Sequence, residues 1–288
     1  MDSDRPSVNP PSAARPSLDG LPTRIRLVEL IGSGASATVW RARDTHNGRD
    51  LAVKVIGPVP GLDPVLRSDR LEREGRALAR LRDVDGIVAL HEIGTTADGT
   101  AWIVMDLAEN GSLRDRLGPV DDRAPGGPGD ALLDARSLCS RLMTTLAHAH
   151  AVEVVHGDIS PANILFGALD APLLVDFNMA AILGEGRGAD RPSGCTPAYA
   201  APERLRGAPP DRASDVYALA ATAAELAARQ VADGGAAPGS ALVDALAAAG
   251  SPIMADRPTA AEFAMLLGVP PTNLPGGRTG RRGFWRRR

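Results

Sequence analysis

The sequence predicts an α+β chain, β-rich in its first part and mainly helical after it. Three observations carry this. Between Ile25 and Asp106 short aliphatic runs are cut by Gly, Asp and Asn turns, the pattern of successive strands. From residue 132 onward the longer Ala- and Leu-rich segments read as helices. Between two of those helices, the aliphatic pairs Val154-Val155 and Ile164-Leu165 bracket the polar loop His156-Gly157-Asp158-Ile159-Ser160-Pro161-Ala162-Asn163. That loop gathers one imidazole, one carboxylate and one carboxamide, and such a turn is not expected to be fully buried.

Composition narrows the classes. A chain of 288 residues with 44% hydrophobic content is long enough to bury a core in one large domain or two lobes. Aromatic residues make up only 3%, so Ala, Leu and Val must fill most of the apolar volume. Cys139 and Cys195 form neither a disulfide framework nor a metal site, which reads as a reducing, cytoplasmic setting. No secretory h-region is visible, and no apolar run reaches the ~18 residues of a membrane span. The net charge of −3 becomes −9 once the six Arg of residues 269–288 are set aside, and an acidic body argues against general nucleic-acid binding. Of the 32 basic residues only Lys54 is a lysine. In a chain that uses Arg for every other cation, a lone ammonium is a candidate for a role that guanidinium cannot fill.

Taken in order, residues 1–23 are rich in Pro, Ser, Asp and Arg and read as a disordered leader. Leu27 to Ala42 reads as strand, glycine turn, strand, with Gly32 and Gly34 able to let backbone N–H groups approach a phosphate. Hairpin turns use Gly as well, so this loop alone is weak evidence. Asp50 to Ile56 is an alternating strand carrying Lys54. A helix is expected from about Pro64 to Leu81, with Leu71, Leu78 and Leu81 on one stripe. Glu74 falls on that stripe, where a carboxylate is costly unless paired. Its partner is Lys54 in one reading and Arg70 of its own helix in the other.

Ile87–Gly94 and Ala101–Asp106 complete five strands, which with the helix make up the N-lobe. A Pro/Gly loop over 118–130 precedes a helix at about Leu132–Ala151. His148 and His150 in that helix do not share a face, so they are expected as surface or capping residues rather than a metal pair. Met179 to Cys195 is Gly-rich and expected to be mobile, Ala213–Leu219 opens a long helix, Ala241–Ala249 is a short one, and Thr259 opens the last.

Several of these segments fit known patterns. Asp158 lies two residues after His156 and five before Asn163, which fits H-x-D-x-x-x-x-N, and Asp176-Phe177 follows an apolar run. Gly32 to Val39 fits G-x-G-x-x-G-x-V with Ala37 in the third glycine position, and Ala52-Val53-Lys54 fits V-A-I-K. Met105 to Leu113, Thr196 to Glu203 and Asp256-Arg257-Pro258 add a hinge-like stretch, a T-P-x-Y-x-A-P-E segment and a late D-R-P. In this order the chain resembles the eukaryotic-like (Hanks-type) serine/threonine protein kinases of bacteria, over roughly residues 25–268.

The resemblance implies a bilobal protein-kinase-like fold, with a domain at 24–268, an N-lobe at about 24–107, a C-lobe at about 108–268, and a basic Arg-rich tail at 269–288. It implies ATP and Mg²⁺ as cofactors and a protein hydroxyl as acceptor. Ile31, Gly32, Gly34, Val39, Ala52, Lys54 and the backbone of Asp106 to Ala108 would contact nucleotide. Lys54 and Glu74 would position phosphates, Asn163 and Asp176 would hold metal, and Asp158 would orient and deprotonate the acceptor. Asp215 would order the backbone of the loop, and Arg257 would pair with Glu203.

Four departures bear on activity. Gly157 replaces the Arg that normally answers an activation-loop phosphate. Ser160 replaces a Lys near the γ-phosphate, and losing such a stabiliser typically costs about 10²–10³ in rate. Asn178 replaces the Gly of D-F-G, at a place where a left-handed backbone is tolerated by Asn. Only one short helix is expected between the long helix and Arg257, where the family has two. An active kinase and an ATP-binding pseudokinase acting as a regulatory module both fit. A small-molecule kinase is a third reading, because His156-Gly157-Asp158 also resembles the H-G-D of aminoglycoside and choline kinases. The tail, with Phe284 and Trp285 among its Arg residues, reads either as a contact for an anionic membrane or as a solvated segment.

Overall fold

Short strands with polar turns close a sheet by antiparallel pairing, and the first unit of the chain does this with one departure from sequence order, the fifth strand lying between the third and the fourth. The computed structural model describes residues 18, 20–34, 37–56, 74–96, 100–118, 134–183 and 195–275. Contacts divide the chain into two units, 1–68 with 90–107 and 69–89 with 108–288. The first holds β1 (Ile25–Ser33), β2 (Thr38–Asp44), β3 (Asp50–Ile56), β4 (Leu90–Thr95) and β5 (Ala101–Asp106), paired antiparallel in the order β1-β2-β3-β5-β4.

Strand position explains strand composition. β3 and β5 have neighbours on both sides, and the middle of β3 and nearly all of β5 are buried. β1 and β4 are the edges, and β4 alternates half-buried and exposed residues along its length. Ile25, Trp40, Ala42, Leu51, Val53, Val55, Trp102 and Val104 form the core, and Leu18, Leu21 and Leu27 pack against it. The strand β4 accommodates Trp102 through Gly94, its register partner: a Cβ on Gly94 would fall 2.2 Å from the indole Cζ2. At the surface Asp50 binds Arg43 at 2.6 Å and Arg41 at 2.5 Å, and these hydrogen bonds, Arg43's first, hold its carboxyl below the usual carboxylate range.

The second unit is mainly helical. It contains α1 (residues 74–80), α2 (Leu113–Leu117), α3 (Ala135–Ala151), α4 (Pro202–Leu205), α5 (Arg212–Ala232), α6 (Ser240–Ala249) and α7 (Ala260–Leu266). Two small ladders join them: β6 (Val154–Val155) with β9 (Ala181–Ile182), and β7 (Ile164–Phe166) with β8 (Pro172–Leu174). The helix starts are written in the sequence. Ser112, Asp134, Asp211 and Thr259 each accept an N-cap hydrogen bond, three of them in complete capping boxes. The buried face of α3 recurs at Leu138, Leu142, Leu146 and Ala149, and α3 packs against both α5 and α7. The buried residues of α5 are rich in Ala (Ala220, Ala223, Ala227), as the low aromatic content predicts.

Two boundaries differ from the sequence expectation. The helix that contains Glu74 groups with the second unit. The chain after it is tied there, with Thr145 Oγ1 donating to Asp85 O at 2.9 Å and Val88 N to Leu174 O at 3.2 Å. At the other end Leu274 is buried, so ordered packing continues past residue 268. Between α5 and Arg257 there is one helix, α6, and a 3₁₀ turn at Met254–Asp256. No helix among the described residues is long and apolar enough to cross a membrane. Most of the leader, the Pro/Gly loop, the start of the first helix, most of the Gly-rich segment before Cys195 and the Arg-rich tail lie outside the described residues.

Candidate active site

The polar loop after β6 is pinned by a carboxylate from a distant helix. Asp215, in the first turn of α5 and 1% exposed, accepts the amides of His156 and Gly157, each at 2.8 Å. His150 Nε2 lies 3.0 Å from the same carboxylate. The sequence expectation that His150 is a surface or capping residue is thereby corrected: it is buried, because the last turn of α3 faces α5. His148 is half-buried and lies 2.9 Å from Thr144 O, a carbonyl inside its own helix, so it is not a cap.

His156 is buried. Its Nε2 lies 2.9 Å from Val175 O, and its ring packs on Phe177 with centroids 4.6 Å apart. Gly157 follows with φ of 84°, and a Cβ there would stand 2.6 Å from Met179 O. No side chain fits here without displacing backbone.

The next residue is Asp158. Its Oδ1 accepts the Thr196 amide at 2.7 Å, and its backbone oxygen accepts Asn163 Nδ2 at 2.8 Å. Asn163 Nδ2 also lies 3.5 Å from Asp158 Oδ2. The antiparallel register Ile164↔Leu174 brings the residues flanking this ladder together, and Val175 N donates to Asn163 O at 3.1 Å. Asp176 then takes a left-handed backbone with φ of 65°, before a 3₁₀ turn over Phe177–Met179. Asn178 therefore sits inside a helical turn, and the left-handed position expected for it belongs to Asp176. Ser160 is 2% exposed and opens the 3₁₀ turn Pro161–Asn163.

The segment Thr196–Glu203 is anchored twice. Glu203 and Arg257 form a two-pronged ion pair at 2.6 and 2.8 Å, and the Arg257 guanidinium lies 4.9 Å from the Tyr217 ring centroid. Burial pushes the Glu203 carboxyl up, but the hydrogen bond from Arg257, a backbone amide, and the charges of Arg257 and Arg206 outweigh it, so its pKa falls below the ordinary value. The Tyr199 hydroxyl donates to Glu225 and accepts from Arg114, whose Nη1 is 3.2 Å from Glu225 Oε1. Burial, then the Glu225 hydrogen bond, raise the Tyr199 pKa. The sequence did not point to Arg114, Glu225 or Arg204, since none lies in a recognisable motif.

In the first unit, Lys54 lies mid-β3 opposite Val39 and Ile103 and is 7% exposed. Ala52 on the same strand is buried, Gly32 pairs with Val39, and Gly34 N donates to Ala37 O at 2.8 Å. Ile31 is 47% exposed on the edge strand. The side chain of Asp106 is taken by His91 at 2.5 Å and Arg49 at 2.9 Å, which leaves its backbone as the group to consider. In the second unit Glu74 opens the described part of α1 and is 2% exposed, and Ala108 is half-buried. Among the described residues no group of three or more His, Cys, Asp or Glu side chains forms a metal cluster. Asn163 and Asp176 offer oxygen donors of the type hard cations take, and with Asn163 Nδ2 committed to Asp158, its Oδ1 is the atom left for a cation.

A family model described as protein kinase domain matches residues 25–235. The chain is 39% identical over 204 residues to the DNA damage-responsive serine/threonine-protein kinase RqkA of Deinococcus radiodurans, covering 69% of this chain and 29% of that protein. It is 36% identical over 198 residues to the serine/threonine-protein kinase PknK of Mycobacterium tuberculosis, covering 68% of this chain and 17% of the relative. With PknF of the same species it shares 35% identity over 207 residues, 69% of this chain and 42% of the relative. The chain thus spans less than half the length of each of these relatives. With the strand order of its first unit, the helical second unit and the loop anchored on Asp215, it belongs to the protein kinase domain family.

Proposed function

We propose that this chain is an ATP- and Mg²⁺-dependent protein kinase that transfers the γ-phosphate to a serine or threonine hydroxyl of a protein. One observation carries the reading: the Thr196 amide occupies Asp158 Oδ1 at 2.7 Å. Oδ2 is then the oxygen that orients the acceptor hydroxyl and receives its proton. Asn163, through Oδ1, and Asp176 hold the metal, and Lys54 with Glu74 positions the phosphates. Ile31, Gly32, Gly34, Val39, Ala52 and the backbone at Asp106 and Ala108 contact the nucleotide. Bound nucleotide supplies the transferable phosphoryl group, and the metal neutralises charge on its oxygens. The place of Lys54, mid-β3 opposite Val39 and out of solvent, supports its assignment.

The catalytic domain in this reading comprises residues 24–268 with Leu274 packed onto it, in a cytoplasmic setting that suits two free cysteines. The acceptor is a protein, and the Arg-rich tail is a candidate contact for an anionic membrane. A second reading, an ATP-binding module that transfers nothing, draws on Gly157 and Ser160, which leave the loop without its two usual cations.

Intact mass after incubation with ATP and Mg²⁺, with Asp158→Asn as control, separates them. Added HPO₃ units in the wild type alone are expected. No added mass in a protein that binds nucleotide would shift the reading to the binding module or to a kinase whose acceptor lies elsewhere.

A further inference from the structure

The residue before the proposed base is a glycine, the most freely rotating residue in a chain, so its peptide planes need anchors from outside. On one side the Gly157 amide is held by Asp215 Oδ1 at 2.8 Å. On the other, the peptide joining Gly157 to Asp158 is held at its nitrogen by His156 Nδ1 at 3.3 Å and at its oxygen by Arg204 Nη2 at 3.5 Å. Arg204 comes from α4 and is 6% exposed. Its Nη1 donates to Ala208 O at 2.6 Å, and its buried Nε has no hydrogen-bond partner in the protein.

That guanidinium borders a small cavity also lined by Asp158, Cys195, Thr196, Ser214 and Asp215. The cavity volume is about 10 Å³, room for the centre of one water molecule. A buried cation among carbonyls is costly unless anions share its low-dielectric surroundings, and the carboxylates lining this cavity are those of Asp158 and Asp215. The loop has lost a cation at Gly157, where no side chain fits, and at Ser160, which is buried without one.

We propose that Arg204 is the positioning residue for Asp158: its buried guanidinium fixes the Gly157–Asp158 peptide through the Gly157 carbonyl and supplies the positive charge that the loop itself lacks. This rests on the assignment of Asp158 as base. Arg204 touches no reacting atom. It acts by holding the carboxylate where the Thr196 amide and the acceptor hydroxyl meet it.

Two variants of the full chain test it, Arg204→Met, which removes charge and hydrogen bonds, and Arg204→Lys, which keeps the charge but cannot fork to two carbonyls. With dephosphorylated casein as acceptor, Arg204→Met is expected to lower kcat about 10²-fold, the cost of a displaced catalytic group, with KM for ATP changed less than about two-fold. Arg204→Lys falls between. Amide exchange gives a readout that needs no activity. Protection of Thr196, which reports its bond to Asp158, drops about ten-fold or more in Arg204→Met while the amides of α3 and α5 keep theirs. Wild-type exchange at Thr196, or a loss of protection spread evenly over α3 and α5, overturns the proposal. If the wild type transfers no phosphate, the kinase reading fails on its own and the exchange comparison still decides this one.

Discussion

The Asp215 carboxylate and the Gly157 amide meet at 2.8 Å although 58 residues separate them. A helix terminus and a loop that precedes it by a fifth of the chain are thereby fixed as one object, and the functional assignment depends on that object staying in place. Asp215 accepts two backbone amides and faces His150, all out of solvent.

Replacing Asp215 with Ala leaves the amides of His156 and Gly157 buried without an acceptor. The expected cost is about 3 kcal/mol of stability, from two buried backbone donors left unpaired. Urea unfolding of the two proteins measures it, and a change in midpoint equivalent to less than about 1 kcal/mol would show that water replaces the carboxylate.

The Glu203–Arg257 pair predicts an acid limit. The folded carboxyl has a pKa below its ordinary value of 4.5. A depressed folded pKa means the unfolded chain binds the proton more readily, so the stabilisation is full above about 4.5 and drains away as pH falls through the folded value. The Tm of the wild type is expected to fall more steeply than that of Glu203→Gln between about pH 5 and pH 3. Parallel curves would mean that other carboxylates govern acid unfolding.

The two cysteines are expected to separate cleanly. Cys139 is buried in α3, and burial pushes its thiol up to about 12, whereas Cys195 is half-exposed. Only a thiolate reacts quickly, so a disulfide reagent at neutral pH labels one thiol in the native protein and both after denaturation. Labelling found at Cys139 in the native state would show that α3 opens on the timescale of the assay.

Local chemistry decided much of the fold. Turn glycines, alternating strands and N-cap residues act over a few bonds, so the five strands of the first unit, the starts of α5 and α7 and the loop from His156 to Asn163 could be read from residue types and spacing. The pairing of Arg257 with Glu203 was legible too, but only through resemblance, since nothing local links positions 54 residues apart.

The tertiary structure decided what depends on which faces meet. His150 was expected as a surface or capping residue because it is polar and does not share a helix face with His148; packing of α3 on α5 buries it against Asp215. Arg204 looked like one of many interchangeable arginines, until α4 carried it to the carbonyl of Gly157. The reason Gly157 must be a glycine lies in Met179 O, 22 residues away. The sequence by itself determined the elements and the reactive groups each one carries, because propensity, capping and spacing are short-range. Only the fold decided how those groups are held, because burial and hydrogen bonding across long stretches of chain exist once helices and ladders have packed.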